Sequence, residues 1–404
     1  MKHVAIDTVT LYAGHGGSGG GIWTYTKQLL LNLNQHAAEQ TSIKFYCFVN
    51  EAFDLLLNNM EVIKVDCDTR KLPNRMKYLH FTLPNLCKKW RIDLLHRLTP
   101  EIPFASKTPV VCTLHDFMAE FYERTGRNQG AGFMDRLRNK YFFKTKSYAL
   151  QHSKAVLTPS QAIRNEAISQ FAGEPNRVFV TELATMPAKV NTEPEKISTK
   201  PVQFFTIAAF HPHKGHERTI AVFESLRSAT QMDAYLNLRG NIQDADTYNN
   251  IQKRIAASPE RDRIKIIGFD PSSTLADIYK KADFVLLLSE YEGFGLPVLE
   301  AQAFGIPVIC SAIETFREVA GEAALFISAK DPELIAKDIH ALVTDHNKQQ
   351  QLVQDGIANC RKYNWFETAA KTIAVYNSCL NTGYEFCKTK IEKKLPVIAA
   401  GEKE

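Results

Sequence analysis

Two glutamates, Glu292 and Glu300, flank a glycine-rich turn and are separated by seven residues. The apolar run Phe284–Leu288 before them is typical of a strand buried on both faces, and Pro297 marks the start of a helix. A helix that leaves a glycine loop at the carboxyl end of a strand binds anions, because its first N–H groups are free. Carboxylates accept hydrogen bonds from sugar hydroxyls. With Glu300 expected in the exposed first turn, the stretch predicts a ligand that carries both phosphate and sugar.

Taken singly, each glutamate has a simpler explanation, as a partner of the helix dipole or as a solvated loop residue. The full string, with Phe294-Gly295-Leu296-Pro297 between the glutamates, resembles the donor-site signature of GT4-type retaining glycosyltransferases (mannosyltransferase-like, glycosyl transferases group 1). The resemblance implies an α/β protein of the GT-B fold, in which two Rossmann-like parallel-sheet domains face a central cleft. It also implies hexose transfer from a nucleotide-diphosphate sugar with retention of configuration, without a metal or another cofactor.

The resemblance gives roles to residues at other predicted strand ends. His115 follows the strand Val110–Leu114, where open α/β sheets bind ligands, although a lone histidine is more often structural. Gly20-Gly21 resembles the family's opening segment, and Lys214 suits a diphosphate as a point charge. Glu300 is expected to bind the ribose and Glu292 the sugar hydroxyls. The implied catalytic residues are His115 and Glu292, and the implied donor-binding residues are Gly20, Gly21, Lys214, Gly240, Gly268, Phe294, Gly295, Leu296 and Glu300.

One position departs from the pattern of this family. Many members carry an arginine five residues before the lysine, whereas this chain has Ala209 there. The usual clamp of two cations on the diphosphate therefore lacks one cation at this position. His211 or His213 compensates for the missing arginine, or the segment is an ordinary surface loop; the sequence is consistent with both.

Two other classes of function have some support. Gly14, Gly16 and Gly19 satisfy the GxGxxG pattern of a dinucleotide site, which would indicate an NAD-dependent oxidoreductase. That fingerprint needs its first glycine directly after the strand, and here Thr8–Ala13 intervenes. A non-catalytic module that binds a nucleotide-sugar is the third alternative, and Ala209 is the feature in its favour.

The elements that must position these residues alternate between strand and helix along the chain, which predicts two α/β halves. We expect an acceptor-side domain over residues 1–190 and a nucleotide-sugar-binding domain over residues 191–365. Residues 366–404 would form a closing helix and a lysine-rich tail that return toward the first domain. The polar segment Met186–Pro201, which has three prolines, reads as the linker.

Composition limits the partners and the location. The chain has 404 residues, 45% of them hydrophobic, and a formal charge of +5, which is too small to predict nucleic-acid binding. No run approaches the ~20 apolar residues of a membrane span, and the eight cysteines show no CxxC pair, as expected of a cytoplasmic protein.

The expected partners are a nucleotide-sugar donor, such as GDP-mannose or another NDP-hexose, and a glycan or lipid-linked acceptor. Arg136, Lys140 and Lys144 form a stripe at helical spacing that is either a solvated face or a peripheral contact with anionic membrane.

Overall fold

The computed structural model describes residues 1–12, 20–104, 106–127, 133–185, 201–268 and 274–380. The predictions for the GxGxxG glycines, for residues 186–200 of the linker and for the lysine-rich tail lie outside these ranges. Within them the chain folds into two parallel sheets with helices around them, which confirms the predicted α/β class with two parallel-sheet domains. The boundary near residue 190 stays a proposal.

The first sheet has seven strands in the order β3-β2-β1-β4-β5-β6-β7. Its inner strands are mostly buried, because helices cover both faces of a parallel sheet. They are β1 (Lys2–Asp7), β2 (Ile43–Val49), β3 (Glu61–Lys64), β4 (Leu94–Arg97), β5 (Val110–Thr113), β6 (Ala155–Thr158) and β7 (Val178–Val180). Its helices are α1 (Gly21–Ala37), α2 (Leu72–Lys77), α3 (Leu83–Lys89), α4 (Met118–Arg124), α5 (Phe133–His152) and α6 (Gln161–Phe171).

The second sheet has six strands in the order β10-β9-β8-β11-β12-β13. They are β8 (Val202–Ile207), β9 (Ala234–Arg239), β10 (Ile264–Ile267), β11 (Phe284–Leu287), β12 (Val308–Ser311) and β13 (Leu325–Ile327). The helices of this half are α7 (His216–Thr230), α8 (Ala245–Ala256), α9 (Leu275–Tyr279), α10 (Leu296–Ala303), α11 (Glu314–Ala320), α12 (Pro332–Thr344), α13 (His346–Cys360) and α14 (Trp365–Leu380).

Each sheet has one point where the direction of winding reverses. In the first sheet it lies between β1 and β4, and in the second sheet between β8 and β11. Open α/β sheets bind their ligands outside the carboxyl ends of the strands at such points. The loops that leave these four strands are therefore the places where a site is expected.

The last described helix, α14, packs on the first half of the molecule. It contacts α1, and Lys371 on it pairs with Glu182 at 2.5 Å. Thr368 also donates a hydrogen bond to the Glu182 carbonyl at 2.6 Å. The helix thus crosses from the end of the second half back to the first.

Several predicted elements differ from the observed ones. The segment Asn74–Lys89 reads as one basic helix, but a π-helical turn at Tyr78–Thr82 divides it between α2 and α3. Each of these helices carries a proline near its start, Pro73 and Pro84, and a proline ring favours a helix start over a helix interior. The sequence reading also missed the short strands β3, β7 and β13, which lie at or next to sheet edges.

Candidate active site

The reversal point of the second sheet holds an ion pair. Lys214 follows β8 and Glu292 follows β11, and Lys214 Nζ donates to Glu292 Oε2 at 2.7 Å. Their side chains are 19% and 13% exposed. Thr315, the second residue of α11, donates its hydroxyl proton to the Glu292 carbonyl at 2.9 Å, which fixes the loop. Two predicted site residues, 78 positions apart, are thereby brought into contact.

Two glycines shape the loops that carry this pair. Gly215 has φ +71°, and a Cβ there would lie 2.1 Å from the carbonyl oxygen of Leu288, which directly follows β11. Gly295 has φ +105°, and a Cβ there would lie 2.8 Å from the ring of Phe316. Both positions need a backbone that side chains with a Cβ rarely adopt. The glycines let Lys214 approach β11 and let α10 begin directly after the Glu292 turn.

Glu300 lies deeper than the sequence suggested. Gly295 is the N-cap of α10, so Glu300 is its fifth residue and not part of an exposed first turn. The side chain is partly buried, and its Oε2 accepts a hydrogen bond from the Tyr279 hydroxyl at 2.8 Å. Burial raises the pKa of Glu300, whereas the bond from Tyr279 lowers it. The prediction of an exposed carboxylate in the first turn was wrong, because Glu300 is the fifth residue of α10 and bonds to the buried Tyr279.

His115 follows β5 and lies on the surface of the first domain that faces Glu292 in the second domain. These two facing surfaces are called the walls of the site. Its Nε2 donates to the Leu98 carbonyl at 3.0 Å, and its ring contacts Tyr25 edge-to-face with centroids 4.9 Å apart. Burial lowers the pKa of His115, so the imidazole is neutral at pH 7. With the proton on Nε2, the Nδ1 atom is a hydrogen-bond acceptor.

The two walls touch at the Glu292 turn. A Cβ on Gly293 would lie 2.2 Å from the His115 carbonyl oxygen, so only a glycine fits between the domains. Ser160, the N-cap of α6, donates to the Gly293 carbonyl at 2.8 Å. The Tyr291 hydroxyl accepts from the Phe117 amide at 2.8 Å and belongs to the same contact. The candidate catalytic residues His115 and Glu292 therefore lie on loops that meet directly.

A buried hydrogen-bond chain supports the His115 wall from behind. Tyr25 on α1 contacts the Thr113 hydroxyl at 3.0 Å, and Thr113 contacts His96 Nε2 at 2.9 Å. His96 Nδ1 in turn lies 2.5 Å from the hydroxyl of Tyr376 on α14. Burial lowers the pKa of His96 to about 3. The chain joins the closing helix to the tyrosine ring that packs on His115.

The N-terminus of α6 is capped from the other domain. The Glu318 carboxylate on α11 accepts from the backbone amides of Gln161 at 2.6 Å and Ala162 at 2.9 Å. The first amides of a helix have no partner within the helix. A side chain of the second domain thus supplies partners that the first domain lacks.

The segment at Ala209 is organised by histidines. His213 is buried, and its Nδ1 lies 2.5 Å from the hydroxyl of Tyr122 on α4, a contact between the two domains. Burial lowers the pKa of His213 to about 2 and raises that of Tyr122 to about 12. His213 is therefore neutral at pH 7 and does not restore the missing positive charge. His213 is also not part of an ordinary surface loop, because it is buried and contacts Tyr122 of the other domain.

The remaining predicted residues are spread around this centre. Gly20 is the N-cap of α1 with φ +81°, and Gly21 is the first residue of that helix. Gly268 follows β10, with open space where a Cβ would be. Gly240 follows β9, where a Cβ would lie 1.8 Å from the Ala208 carbonyl oxygen, so packing alone requires this glycine. Phe294 is buried against Tyr363, edge-to-face at 5.8 Å, and Leu296 opens α10.

Sequence reasoning missed three tyrosines that organise the site: Tyr122, Tyr279 and Tyr291. Each bonds to a residue far away along the chain, so no local spacing reveals the pair. Tyr291 stands next to Glu292, and this adjacency is the only sequence signal for any of them.

Within the described ranges, no cluster of three or more metal-binding side chains occurs. Among the helices of those ranges, none has the length and apolar character to cross a bilayer.

Two facing parallel-sheet domains, with charged and ring side chains at their carboxyl edges, define a protein of the GT-B class. The chain belongs to the GT4-type glycosyltransferases: residues 189–358 match Glycosyl transferases group 1, and residues 19–182 match Glycosyltransferase Family 4.

Two curated relatives share part of the sequence. The chain is 26% identical over 250 residues to O-antigen chain mannosyltransferase B of Escherichia coli, covering 60% of this chain and 65% of that protein. It is 27% identical over 194 residues to D-inositol 3-phosphate glycosyltransferase of Corynebacterium glutamicum (strain R), covering 46% and 44%. The aligned region thus spans less than two thirds of these relatives.

Solved structures share the fold over almost the whole chain. WaaG, a glycosyltransferase involved in lipopolysaccharide biosynthesis, has a TM-score of 0.68 at 16% identity and covers 92% of this chain and 99% of its own. Anabaena HepE in complex with UDP-glucose has a TM-score of 0.65 at 15% identity and covers 94% and 100%. At these identities the likeness concerns the fold alone, and it agrees with the predicted GT-B architecture.

Proposed function

We propose that this protein transfers a hexose from a nucleotide-diphosphate sugar to a glycan or lipid-linked acceptor, with retention of configuration. The single observation that carries the proposal is the Lys214–Glu292 pair, which lies between the start of α10 and His115. A cation beside free helix amides suits a diphosphate, and the adjacent carboxylate suits sugar hydroxyls. Group membership and the UDP-glucose complex of the Anabaena protein support a nucleotide-sugar donor.

Each group has a distinct task in this proposal. Lys214 and the amides at Gly295 and Leu296 bind the diphosphate and stabilise the charge that develops on the leaving nucleotide. To do so, Lys214 exchanges part of its contact with Glu292 for phosphate oxygens. Glu292 then accepts from the sugar hydroxyls, and neutral His115 contacts the sugar from the first domain. Glu300 binds the ribose.

Mannose is the sugar we propose, and a surface polysaccharide the product, by analogy with the Escherichia coli relative. A thermal-shift screen against GDP-, UDP-, dTDP- and ADP-sugars tests the donor. Stabilisation by one of these donors, followed by transfer to an acceptor, supports the proposal. Proton NMR of an early product tests the configuration, and an inverted anomeric centre would contradict retention. Transfer is expected to persist in excess EDTA.

Hydrolysis of the donor separates this enzyme from a non-catalytic binding module. Slow release of free sugar in the absence of acceptor indicates catalysis. Binding without any turnover, with or without a panel of acceptors, would favour the module. Cofactor fluorescence on mixing with NADH tests the oxidoreductase alternative, and we expect no change.

We also propose that helix α5 attaches the enzyme to anionic membrane. Lys140 and Lys144 are exposed on it, and Phe143 between them is 40% exposed. Each cation near a lipid surface contributes about 1 kcal/mol, so attachment would be weak and sensitive to salt. Flotation with anionic liposomes at low and high salt tests this. Binding that is unchanged when Arg136, Lys140 and Lys144 are replaced by glutamate would contradict it.

A further inference from the structure

The two oxygens of the Glu300 carboxylate have different surroundings. Oε2 accepts from the Tyr279 hydroxyl at 2.8 Å. Oε1 makes no hydrogen bond to a described residue, and it is not a buried atom without a partner among those residues. One end of the carboxylate is therefore anchored by a buried tyrosine, and the other has no partner within the described part of the chain.

Tyr279 is well placed to act as the anchor. It is the last residue of α9, and its side chain is fully buried. Its ring stacks on Phe304 with centroids 5.1 Å apart and an interplanar angle of 11°. The hydroxyl has one proton and two acceptors within reach, Glu300 Oε2 at 2.8 Å and the Pro297 carbonyl at 3.4 Å. The hydroxyl donates its proton to Glu300 Oε2, which is the nearer acceptor. The buried ring fixes the position of the hydroxyl and so determines which acceptor is nearer.

We propose that Tyr279 is a positioning residue, which holds Oε2 of Glu300 so that Oε1 accepts hydrogen bonds from the neighbouring hydroxyls of the nucleotide's ribose. The inference rests on the proposed function, because it assumes that Glu300 lies in the donor site. An unheld carboxylate would rotate about its last bond, and fixing it beforehand reduces the entropy that is lost on binding. Burial raises the pKa of Glu300, and the hydrogen bond from Tyr279 opposes that rise.

The test compares ribonucleotides with deoxyribonucleotides. Calorimetry measures the affinities of GDP, UDP and their 2′-deoxy counterparts for the full chain and for Tyr279→Phe. We expect the preference for ribose over deoxyribose to fall about fivefold to tenfold in Tyr279→Phe, the equivalent of one ordinary hydrogen bond. Affinity for the deoxy compounds should fall less, because they keep only the 3′ hydroxyl as a donor to the carboxylate.

A merely structural role would give a different pattern. A general loosening of α10 weakens ribo and deoxy compounds alike and leaves their ratio unchanged. Tyr248→Phe, which removes a hydroxyl from α8 in the same domain, is the matched control and should leave the ratio as in the parent. If Tyr279→Phe does not fold, Phe304→Leu keeps the hydroxyl but removes the ring under it, and the ratio should still fall.

Glu300→Ala separates the failure of this inference from the failure of the proposed function. If Glu300→Ala leaves the ribose preference intact, the donor-site role of Glu300 is wrong. If Glu300→Ala abolishes the preference but Tyr279→Phe leaves it unchanged, the donor site stands and Tyr279 is not its positioning residue. Adding Tyr279→Phe to Glu300→Ala should change the ratio no further.

Discussion

On the wall built by the second sheet, charged side chains pair with each other, as Lys214 does with Glu292. On the wall built by the first sheet, His115 is a neutral ring held by a hydrogen bond, and the charges of Arg97 and Asp7 are paired and fully buried. The ion pair of Lys214 with Glu292 can be exchanged for contacts to a charged ligand. The neutral ring of His115 can orient a ligand but does not attract its charge. The comparison teaches that affinity for the donor should depend on the second domain, and the geometry of transfer on the contact between the domains.

Gly293→Ala breaks the contact between the walls while leaving the charged wall intact. The added Cβ would lie 2.2 Å from the His115 carbonyl oxygen, so the domains must separate. We expect transfer to fall about 100-fold, because a misplacement of ~1 Å at a reacting centre has such an effect. Affinity for the nucleoside diphosphate should stay near the parent value, and small-angle scattering should show a larger radius of gyration. Equal losses of binding and transfer would contradict the division of tasks.

Lys214→Ala breaks the charged wall. It removes the cation proposed for the diphosphate and leaves Glu292 unpaired beside it, so we expect affinity for GDP or UDP to fall about 10- to 100-fold. Calorimetry at two salt concentrations measures this, and the salt dependence should also weaken. Lys253→Ala, an exposed lysine of α8, is the matched control. Unchanged affinity in Lys214→Ala would mean that the diphosphate binds elsewhere.

The neutral histidines predict how stability depends on pH. His96 has a folded pKa of about 3, below the ordinary value of about 6.5. The unfolded chain therefore binds the extra proton, so stability is complete above pH 6.5 and falls as the pH drops from 6.5 toward 3. Each such histidine contributes a slope of about 1.4 kcal/mol per pH unit.

His96→Gln tests this relation by chemical unfolding between pH 7 and pH 5. The variant is less stable at pH 7, but its slope should be smaller than the parent's by about one proton. An unchanged slope would mean that His96 is charged in the folded protein. The same measurement on His213→Gln, with a folded pKa of about 2 in the parent, extends the comparison to the second wall.

Tyr122→Phe makes the smallest change, since it removes one hydrogen bond between the walls, at 2.5 Å to His213. Such a bond contributes about 1 kcal/mol, so we expect kcat/KM for transfer to fall roughly fivefold. Tyr235→Phe on β9 is the control. A larger effect on nucleotide affinity than on transfer would assign Tyr122 to donor binding instead of domain closure.

The sequence predicted the elements that are long or punctuated by clear signals. The sequence predicts a strand over Ile43–Val49 and a helix capped by Ser160 directly after Pro159, and the structure confirms both. Strand β3 was missed because four residues at a sheet edge carry too little pattern. Thus strong local periodicity and capping chemistry are readable, and weak edge elements are not.

The candidate site was readable only in part, for the same reason. The spacing of Glu292 and Glu300 is local, and so is their relation to the helix. The burial of Glu300 depends on Tyr279, 21 residues earlier in the chain, through a contact that exists only after α9 packs beneath α10. Pairings between walls, such as Tyr122 with His213, need both domains in place and have no signature in either half.

The hydrogen bonds from the Gln161 and Ala162 amides to Glu318 make these two amides reporters of domain opening. While the domains touch, the amide hydrogens of Gln161 and Ala162 are bonded to a carboxylate and protected from exchange with solvent. When the domains part, both amides face water with no partner in their own helix. Their exchange rates therefore report the fraction of time that the enzyme spends open, without any label or added probe. A bound donor that favours closure would slow exactly these two hydrogens, while the amides in the middle of α6 would keep their rates.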